Sequence, residues 1–374
     1  MIRILFFVDT TLASGGAERV LRNLVNNMDQ SQFDITVQTV WPEDARKYLV
    51  PGIRYRSVYG AKNRMNRLLF RLETQLGLLY RRHLADDYDI EVAYLECGPT
   101  KILASSTNPK AKKLAWVHCD LMRMTDDPEA FVRKSKKWYK KFDKVICVSE
   151  SVQETYQSLF GTGMDTLVLY NTVDDAEILQ KARDSSVQLP EQPRCTIATI
   201  GRMYRQKGYD RLVDAAHRLA KDGYVFDLWI LGEGPEWDAL AQQVAEYGLE
   251  DTVHFLGFQK NPYPFMKAAD IIVCSSYYEG FSTVVTESLI LGRPVVTTPC
   301  SGMRELLGSS EYGIITEDST DGIYEGLKKM LDDPALRERY AEAAAVRGRA
   351  FSKEKLVGET EAFFRGLLNE RGIS

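Results

Sequence analysis

The feature that most constrains this chain is an alternation. Short, nearly continuous apolar runs are separated by helix-length segments, in two successive series. The first series is Ile2–Val8, Asp34–Val40, Ile53–Val58, Ile90–Leu95, Lys113–Val117, Lys144–Val148 and Thr166–Leu169. The second is Thr196–Ile200, Phe226–Leu231, Val253–Leu256, Ile271–Cys274, Val295–Thr297 and Gly313–Ile315. Strands that are apolar throughout rather than at every second residue are buried on both faces, which implies parallel sheets covered by helices. The expected fold is therefore α/β with two doubly wound, Rossmann-like domains. Ligands in such domains bind at the carboxyl ends of the strands.

A domain over 1–172 and another over 190–350 are expected, joined by the linker Leu189-Pro190-Glu191-Gln192-Pro193. The last helical stretch, about 353–372, has no strand after it and is expected to pack back on the first domain. Residues 63–84 read as one long helix. The first eight residues are apolar but for Arg3, are too few for a leader, and read as a buried strand. No apolar stretch approaches the roughly 20 residues that span a bilayer. The six cysteines form no Cys-x-x-Cys pair, and the four histidines show no metal-ligand spacing, so neither a disulfide framework nor a metal site is expected.

Charge is divided unevenly. Residues 1–171 carry 25 basic and 20 acidic side chains, whereas the remainder is acidic and the whole chain has net charge −4. Two segments account for the basic half. Residues 62–82 hold Lys62, Arg64, Arg67, Arg71, Arg81 and Arg82 against one acid, Glu73, with leucines at helical spacing. Residues 133–144 hold seven Lys/Arg and one acid, with Trp138, Tyr139 and Phe142 interleaved. Basic amphipathic stretches beside aromatics suit a membrane surface. The other reading is a leucine stripe packed on the core beneath solvated charges. Nucleic acid is not the expected partner, since no recognition motif is present in an acidic protein.

Several stretches could carry chemistry. Glu279-Gly280-Phe281-Ser282-Thr283 follows the apolar run at 271–274 and opens a helix that carries Glu287 one turn on. Ser282 or Thr283 would cap it, and amides at such a start favour an anion. The plainer reading is a solvated helix start with two surface glutamates. Gly201–Gly208 follows the first strand of the second series and presents Arg202 and Lys207, two cations suited to a diphosphate leaving group or simply to solvent. Gly15-Gly16 stands after the first strand, where a tight turn accounts for it as well as phosphate binding does. His118 and Glu96 end strands of the first series. Gly232 and Phe258 stand in turns closing strands of the second, which either admit a nucleoside or only turn the chain.

Taken together and in this order, these stretches resemble the family-4 (group 1) glycosyltransferases with the GT-B fold, over nearly the whole chain. The most specific part is Tyr278-Glu279-Gly280-Phe281 through Glu287, continued by Gly292-Arg293-Pro294-Val295-Val296. The resemblance implies two domains facing across a cleft and a metal-free transfer, with retention, from a nucleotide sugar, UDP being the expected nucleotide. Arg202 and Lys207 would hold the diphosphate and Glu287 the ribose. Glu279 would contact the donor sugar, with amides of Phe281, Ser282 and Thr283 near it. Gly15 and Gly16 would approach the phosphates or the sugar, and His118 would contact the transferred sugar. No cofactor is implied, since the nucleotide sugar is a substrate. The acceptor would be a lipid-linked or glycolipid molecule of bacterial surface polysaccharide synthesis, met by a cytoplasmic enzyme peripheral to the inner face of the cell membrane. An epimerase of sugar nucleotides and a non-catalytic nucleotide-sugar binder are the alternatives. The chain departs from the family in Asn171-Thr172-Val173-Asp174, where members often have glycine second, and in Phe281-Ser282-Thr283, where many relatives have another small residue or a proline. No charged group is lost by this.

Overall fold

The computed structural model describes residues 1–13, 15–191 and 194–369. They form two compact units, one of residues 1–172 with the C-terminal helix, the other of residues 173–352. Gln192 and Pro193 of the expected linker, and residues 370–372 of the expected last helix, lie outside the described residues.

The first unit holds a seven-stranded sheet. Its strands are β1 (Ile2–Phe7), β2 (Phe33–Thr39), β3 (Arg54–Ser57), β4 (Ile90–Ala93), β5 (Lys112–Val117), β6 (Lys144–Cys147) and β7 (Thr166–Val168). Their order is β3-β2-β1-β4-β5-β6-β7, parallel throughout. The helices are α1 (Gly16–Asn27), α2 (Arg64–Leu76), α3 (Gly98–Leu103), α4 (Pro128–Tyr139) and α5 (Glu150–Phe160). The order reverses between β1 and β4, so a crevice opens at their carboxyl ends. Phe364 of the C-terminal helix Lys353–Asn369 is fully buried and meets the edges of Phe6 and Phe33.

Residues 63–84 are not one helix. Gly77 adopts φ 69°, and it and Leu78 both donate to the Glu73 carbonyl, which closes α2. A left-handed residue of this kind terminates a helix, and glycine takes it without strain. A separate π-turn follows over Tyr80–Leu84.

The second unit begins with α6 (Asp175–Lys181), followed by β8 (Cys195–Ile200), α7 (Tyr209–Lys221), β9 (Phe226–Leu231), α8 (Trp237–Glu246) and β10 (Val253–Gly257). Then come α9 (Tyr263–Ala268), β11 (Ile271–Cys274), α10 (Thr283–Ile290), β12 (Val295–Thr297), α11 (Met303–Leu307), β13 (Ile314–Ile315), α12 (Thr320–Asp332) and α13 (Pro334–Gly348). The sheet order is β10-β9-β8-β11-β12-β13, all parallel. Alternate strand residues feed two cores. Ile197, Leu228 and Ile230 pack with α7 and α12, whereas Ala198, Trp229 and Leu231 pack with α6 and α9. Val173 and Ile178 belong to this second core, so the unit starts at 173 and not after the proline-rich stretch at 189–193.

Candidate functional site

In the second unit the strand order reverses between β8 and β11. The two loops that leave this point are 201–208 and 275–282, the stretches that carry Arg202, Lys207 and Glu279. Topology thus brings together groups that lie 72 residues apart in sequence.

Each loop is fixed by the other. Tyr277 N donates to the Gln206 carbonyl at 2.8 Å, and Gln206 Nε2 returns a bond to the Tyr278 carbonyl at 2.9 Å. Ser275 Oγ donates to the Lys207 carbonyl at 2.9 Å. Gly208 adopts φ 60°, and a Cβ there would stand 2.2 Å from the Ser275 oxygen, so only glycine lets the loops close. Arg211 on α7 is 5% exposed and grips the second loop. Its Nε meets the Ser275 oxygen at 2.8 Å, Nη2 the Ser276 oxygen at 2.5 Å, and Nη1 Asp318 at 2.7 Å. Such a planar fork holds several acceptors at once.

At the centre, Lys207 Nζ donates to Glu279 Oε1 at 2.7 Å, and Ser276 Oγ donates to the same oxygen at 2.6 Å. Burial disfavours the Lys207 ammonium, but the Glu279 carboxylate outweighs it and holds the lysine pKa above the ordinary range. The lysine is therefore charged at neutral pH, with about a quarter of its side chain open to solvent. Arg202 is exposed beside the Tyr204 ring, 5.2 Å from its centre, and has no carboxylate partner among the described residues. Arg202, Gln206, Lys207 and Tyr278 border a cavity of about 290 Å³.

The helix start behaves as its sequence suggests. Ser282 is the N-cap of α10, its Oγ accepting from Val285 N at 3.4 Å, and Thr283 is the first helical residue. The Phe281 ring is buried and packs edge-on to Phe351, so this position can offer a ligand its backbone but not its ring. The plain reading of two surface glutamates is overturned, because Glu279 is 9% and Glu287 2% exposed. Glu287 Oε1 lies 3.4 Å from Tyr263 Oη.

Gly232 and Phe258 have different parts. Gly232 adopts φ 139°, and a Cβ there would lie 1.9 Å from the Gly201 carbonyl oxygen, so it shapes the loop that carries Arg202. Phe258 is 71% exposed, with its amide donating to Glu233 Oε1 at 3.3 Å.

In the first unit, Gly15 (φ 104°) precedes α1, and a Cβ added to Gly16 would meet nothing within 4 Å. His118 directly follows β5, with its ring packed on Tyr94 and Trp116. Burial pushes its pKa down to about 3 against a favourable Tyr94 carbonyl, so the imidazole is neutral. Its ring nitrogens have no hydrogen-bond partner of good geometry among the described residues. Glu96 is committed to the turn after β5, accepting from the His118 and Cys119 amides. Asp9, two residues beyond β1, is raised to about 6 by burial. The sequence reading passed over Asp9, Ser276 and Arg211. Asp9 had the signal of a polar residue at a strand's carboxyl end, whereas Ser276 and Arg211 are marked only by the fold.

The family described as Glycosyl transferases group 1 matches residues 180–347, and Glycosyltransferase Family 4 matches residues 14–177. Among curated proteins, the chain is 30% identical over 366 residues to the N-acetylgalactosamine-N,N'-diacetylbacillosaminyl-diphospho-undecaprenol 4-alpha-N-acetylgalactosaminyltransferase of Campylobacter jejuni, across 95% of this chain and 98% of that protein. It is 26% identical to the lipopolysaccharide core biosynthesis glycosyltransferase LpsD of Rhizobium meliloti, across 96% of each. Among solved structures, sucrose-phosphate synthase from Thermosynechococcus elongatus superposes with a TM-score of 0.82 at 18% identity, covering 99% of this chain and 100% of that one. Anabaena Alr3699/HepE in complex with UDP and glucose does so with 0.76 at 18%, covering 98% and 100%. At these identities the structures establish the fold, which is of the GT-B type.

Proposed function

The chain belongs to the group 1 (family-4) glycosyltransferases, and from that premise we propose that it moves a sugar, with retention, from a UDP-sugar to a lipid-linked or glycolipid acceptor in the building of a bacterial surface glycan. The observation that carries this reading is the Lys207–Glu279–Ser276 cluster at the switch point of the second unit, with Arg202 exposed beside it.

In the reaction the bond from the anomeric carbon to the diphosphate oxygen breaks, and a bond from that carbon to an acceptor oxygen forms on the same face. The acceptor's proton passes to the departing phosphate oxygen, so no protein nucleophile is assigned. Negative charge grows on the diphosphate as the bond breaks. Lys207 and Arg202 supply fixed positive charge there, and because Glu279 and Ser276 already hold the ammonium, little reorganisation is needed. No metal is required in this scheme, since the two cations meet the diphosphate. Glu287 takes the ribose hydroxyls and the chain around Phe258 the base. Glu279 meets the donor sugar, with the backbone of Phe281–Thr283 beside it, and Gly15–Gly16 leaves room for phosphate. His118, with a pKa near 3, is too weak a base to take the acceptor proton and serves as a hydrogen-bond partner of the sugar. No helix among the described residues is long and apolar enough to cross a membrane. The acceptor is reached at the surface of the inner membrane leaflet, with the basic segments 62–82 and 133–144 facing it. The C. jejuni relative, whose name specifies a diphospho-undecaprenol substrate, supports such an acceptor.

The test is UDP release from a panel of nucleotide sugars, with and without detergent-solubilised bacterial lipid. Release from one donor that rises with lipid, and an α-linked product from an α-linked donor, are expected. Interconversion of UDP-sugars without an acceptor would instead identify an epimerase. UDP binding without turnover of any donor would identify a non-catalytic binder.

A further inference from the structure

A helix that lies on a protein normally turns its apolar stripe inward. In α2 this is reversed. Met65, Leu68, Leu69, Leu72 and Leu76 are 37% to 69% exposed, and at the helical spacing they form a single arc of about 100°. The side facing the protein carries Glu73, buried, with Asn66, Phe70 and Thr74 half-buried. Specific polar contacts fix this orientation. Glu73 accepts from Tyr59 Oη at 2.8 Å and Arg82 Nη1 at 2.7 Å, with His83 Nε2 at 2.8 Å. Phe70 adds an edge contact to Trp41. The reading in which the leucine stripe packs on the core therefore fails, and only Leu79, beyond the helix, is buried.

Five large apolar side chains in one exposed arc mark a surface made to be covered. The charges around the arc identify the cover. The only acid of α2 is turned inward and spent on Arg82 and His83. Arg64, Arg67 and Arg71 are all exposed along one border of the arc, and Lys62 precedes them. A partner must thus be apolar where it meets the leucines and anionic just beside them. An anionic lipid leaflet has both properties in that order, with headgroups above acyl chains. A second copy of the chain would set arginine against arginine. Thirteen residues make a helix about 20 Å long, enough to lie in the headgroup plane and too short to span it.

We propose that α2 is an in-plane anchor, inserting Met65, Leu68, Leu69, Leu72 and Leu76 into the acyl boundary of an anionic membrane while Arg64, Arg67 and Arg71 bind its headgroups. This deepens the reading of a membrane-borne acceptor and rests on it only for its purpose, not for the binding itself. The second basic segment works differently. Tyr139 and Phe142 are buried and Trp138 is half-buried, so α4 and the residues after it offer the membrane chiefly charge.

The experiment is vesicle co-sedimentation of the full chain without donor or acceptor, using phosphatidylglycerol-containing and pure phosphatidylcholine vesicles at low and high salt. The wild type binds the anionic vesicles and keeps part of that binding at high salt. Leu68→Ser with Leu72→Ser leaves the charges intact and lowers the partition coefficient at least about tenfold, with an unchanged melting temperature. A Leu72→Trp reporter is quenched by lipids brominated on the acyl chains. Equal binding by wild type and the double serine variant, abolished by salt, would overturn the proposal in favour of headgroup attraction alone. Absence of vesicle binding, with a dimer that the serine variant converts to monomer, would overturn it in favour of self-association. Failure of vesicle binding leaves UDP release in detergent untouched, and failure of UDP release leaves vesicle binding untouched, so this proposal and the catalytic one fall separately.

Discussion

Replacing Lys207 by alanine removes the ammonium 2.7 Å from Glu279 Oε1. Two losses follow, and they can be separated. Glu279 keeps only the Ser276 hydroxyl on that oxygen while remaining 9% exposed. Coulomb attraction at such a distance amounts to about 6 kcal/mol at the effective dielectric of roughly 20 that suits partly buried pairs. The lysine side chain is 24% exposed, and its own desolvation cost disappears with it, so a net stability loss of about 1–3 kcal/mol is expected. The loss to catalysis is distinct. Removing one preorganised donor from a developing charge costs about 2–4 kcal/mol, which lowers kcat/KM by about 30- to 1000-fold. Initial rates of UDP release at varied donor, alongside a thermal melt, measure both. Adding Glu279→Gln removes the stranded carboxylate, so the double variant regains melting temperature but not rate. Near-wild-type turnover in Lys207→Ala would refute the assignment of the diphosphate to this cluster.

Other variants probe the surroundings of the site. Gly232→Ala places a Cβ 1.9 Å from the Gly201 oxygen at φ 139°, so a stability loss of about 2 kcal/mol or more and weaker UDP binding are expected by melting and calorimetry. Arg211→Lys cannot hold the Ser275 and Ser276 carbonyls and Asp318 together. UDP release should fall about tenfold or more in kcat/KM, with the Ser276–Glu279 loop showing faster amide exchange than in wild type. His118 titrates near 3 in the folded chain, below its ordinary 6.5. The native state then binds fewer protons than the unfolded one between those values, and stability falls as pH drops through that window, by up to about 5 kcal/mol. Asp9, raised to about 6 from 3.8, acts oppositely, its protonation favouring the native state as pH falls from 6 to 3.8. Urea unfolding across pH 4–7 should therefore lose part of its acid destabilisation in His118→Phe and steepen in Asp9→Asn.

Much of the fold was legible because parallel strands buried on both faces write themselves as apolar runs. Ile271–Cys274 and Phe226–Leu231 are bounded in the structure as the sequence reads them. The errors have physical causes. The break at Gly77 was marked by a glycine among leucines, but a helix interior also tolerates one, and only the left-handed φ settles the matter. The proline-rich stretch at 189–193 signals irregular chain, not a boundary. Where the second unit begins is decided by Val173 and Ile178 packing beneath Trp229, a contact with no local signature. The leucine stripe of α2 has the period of a buried face, and its outward turn depends on Glu73 finding Tyr59, Arg82 and His83.

Within the site, Arg202, Lys207, Glu279 and Glu287 could be picked out because each is a charged residue near a predicted strand end or helix start. That Lys207 pairs with Glu279 could not be read, since the pair is made by the adjacency of β8 and β11. Ser276 and Arg211 were invisible for the same reason. Each is an ordinary residue type given a role by partners more distant in space than any sequence window reaches.

The most direct test of the central claim is calorimetric titration of the full chain with UDP, repeated in Lys207→Ala and in Arg202→Ala with Glu287→Ala as a third case. Saturable one-to-one binding by the wild type, weakened at least about tenfold in each variant, is the predicted result. Undiminished binding in all three variants, or no binding of UDP by the wild type, would contradict it.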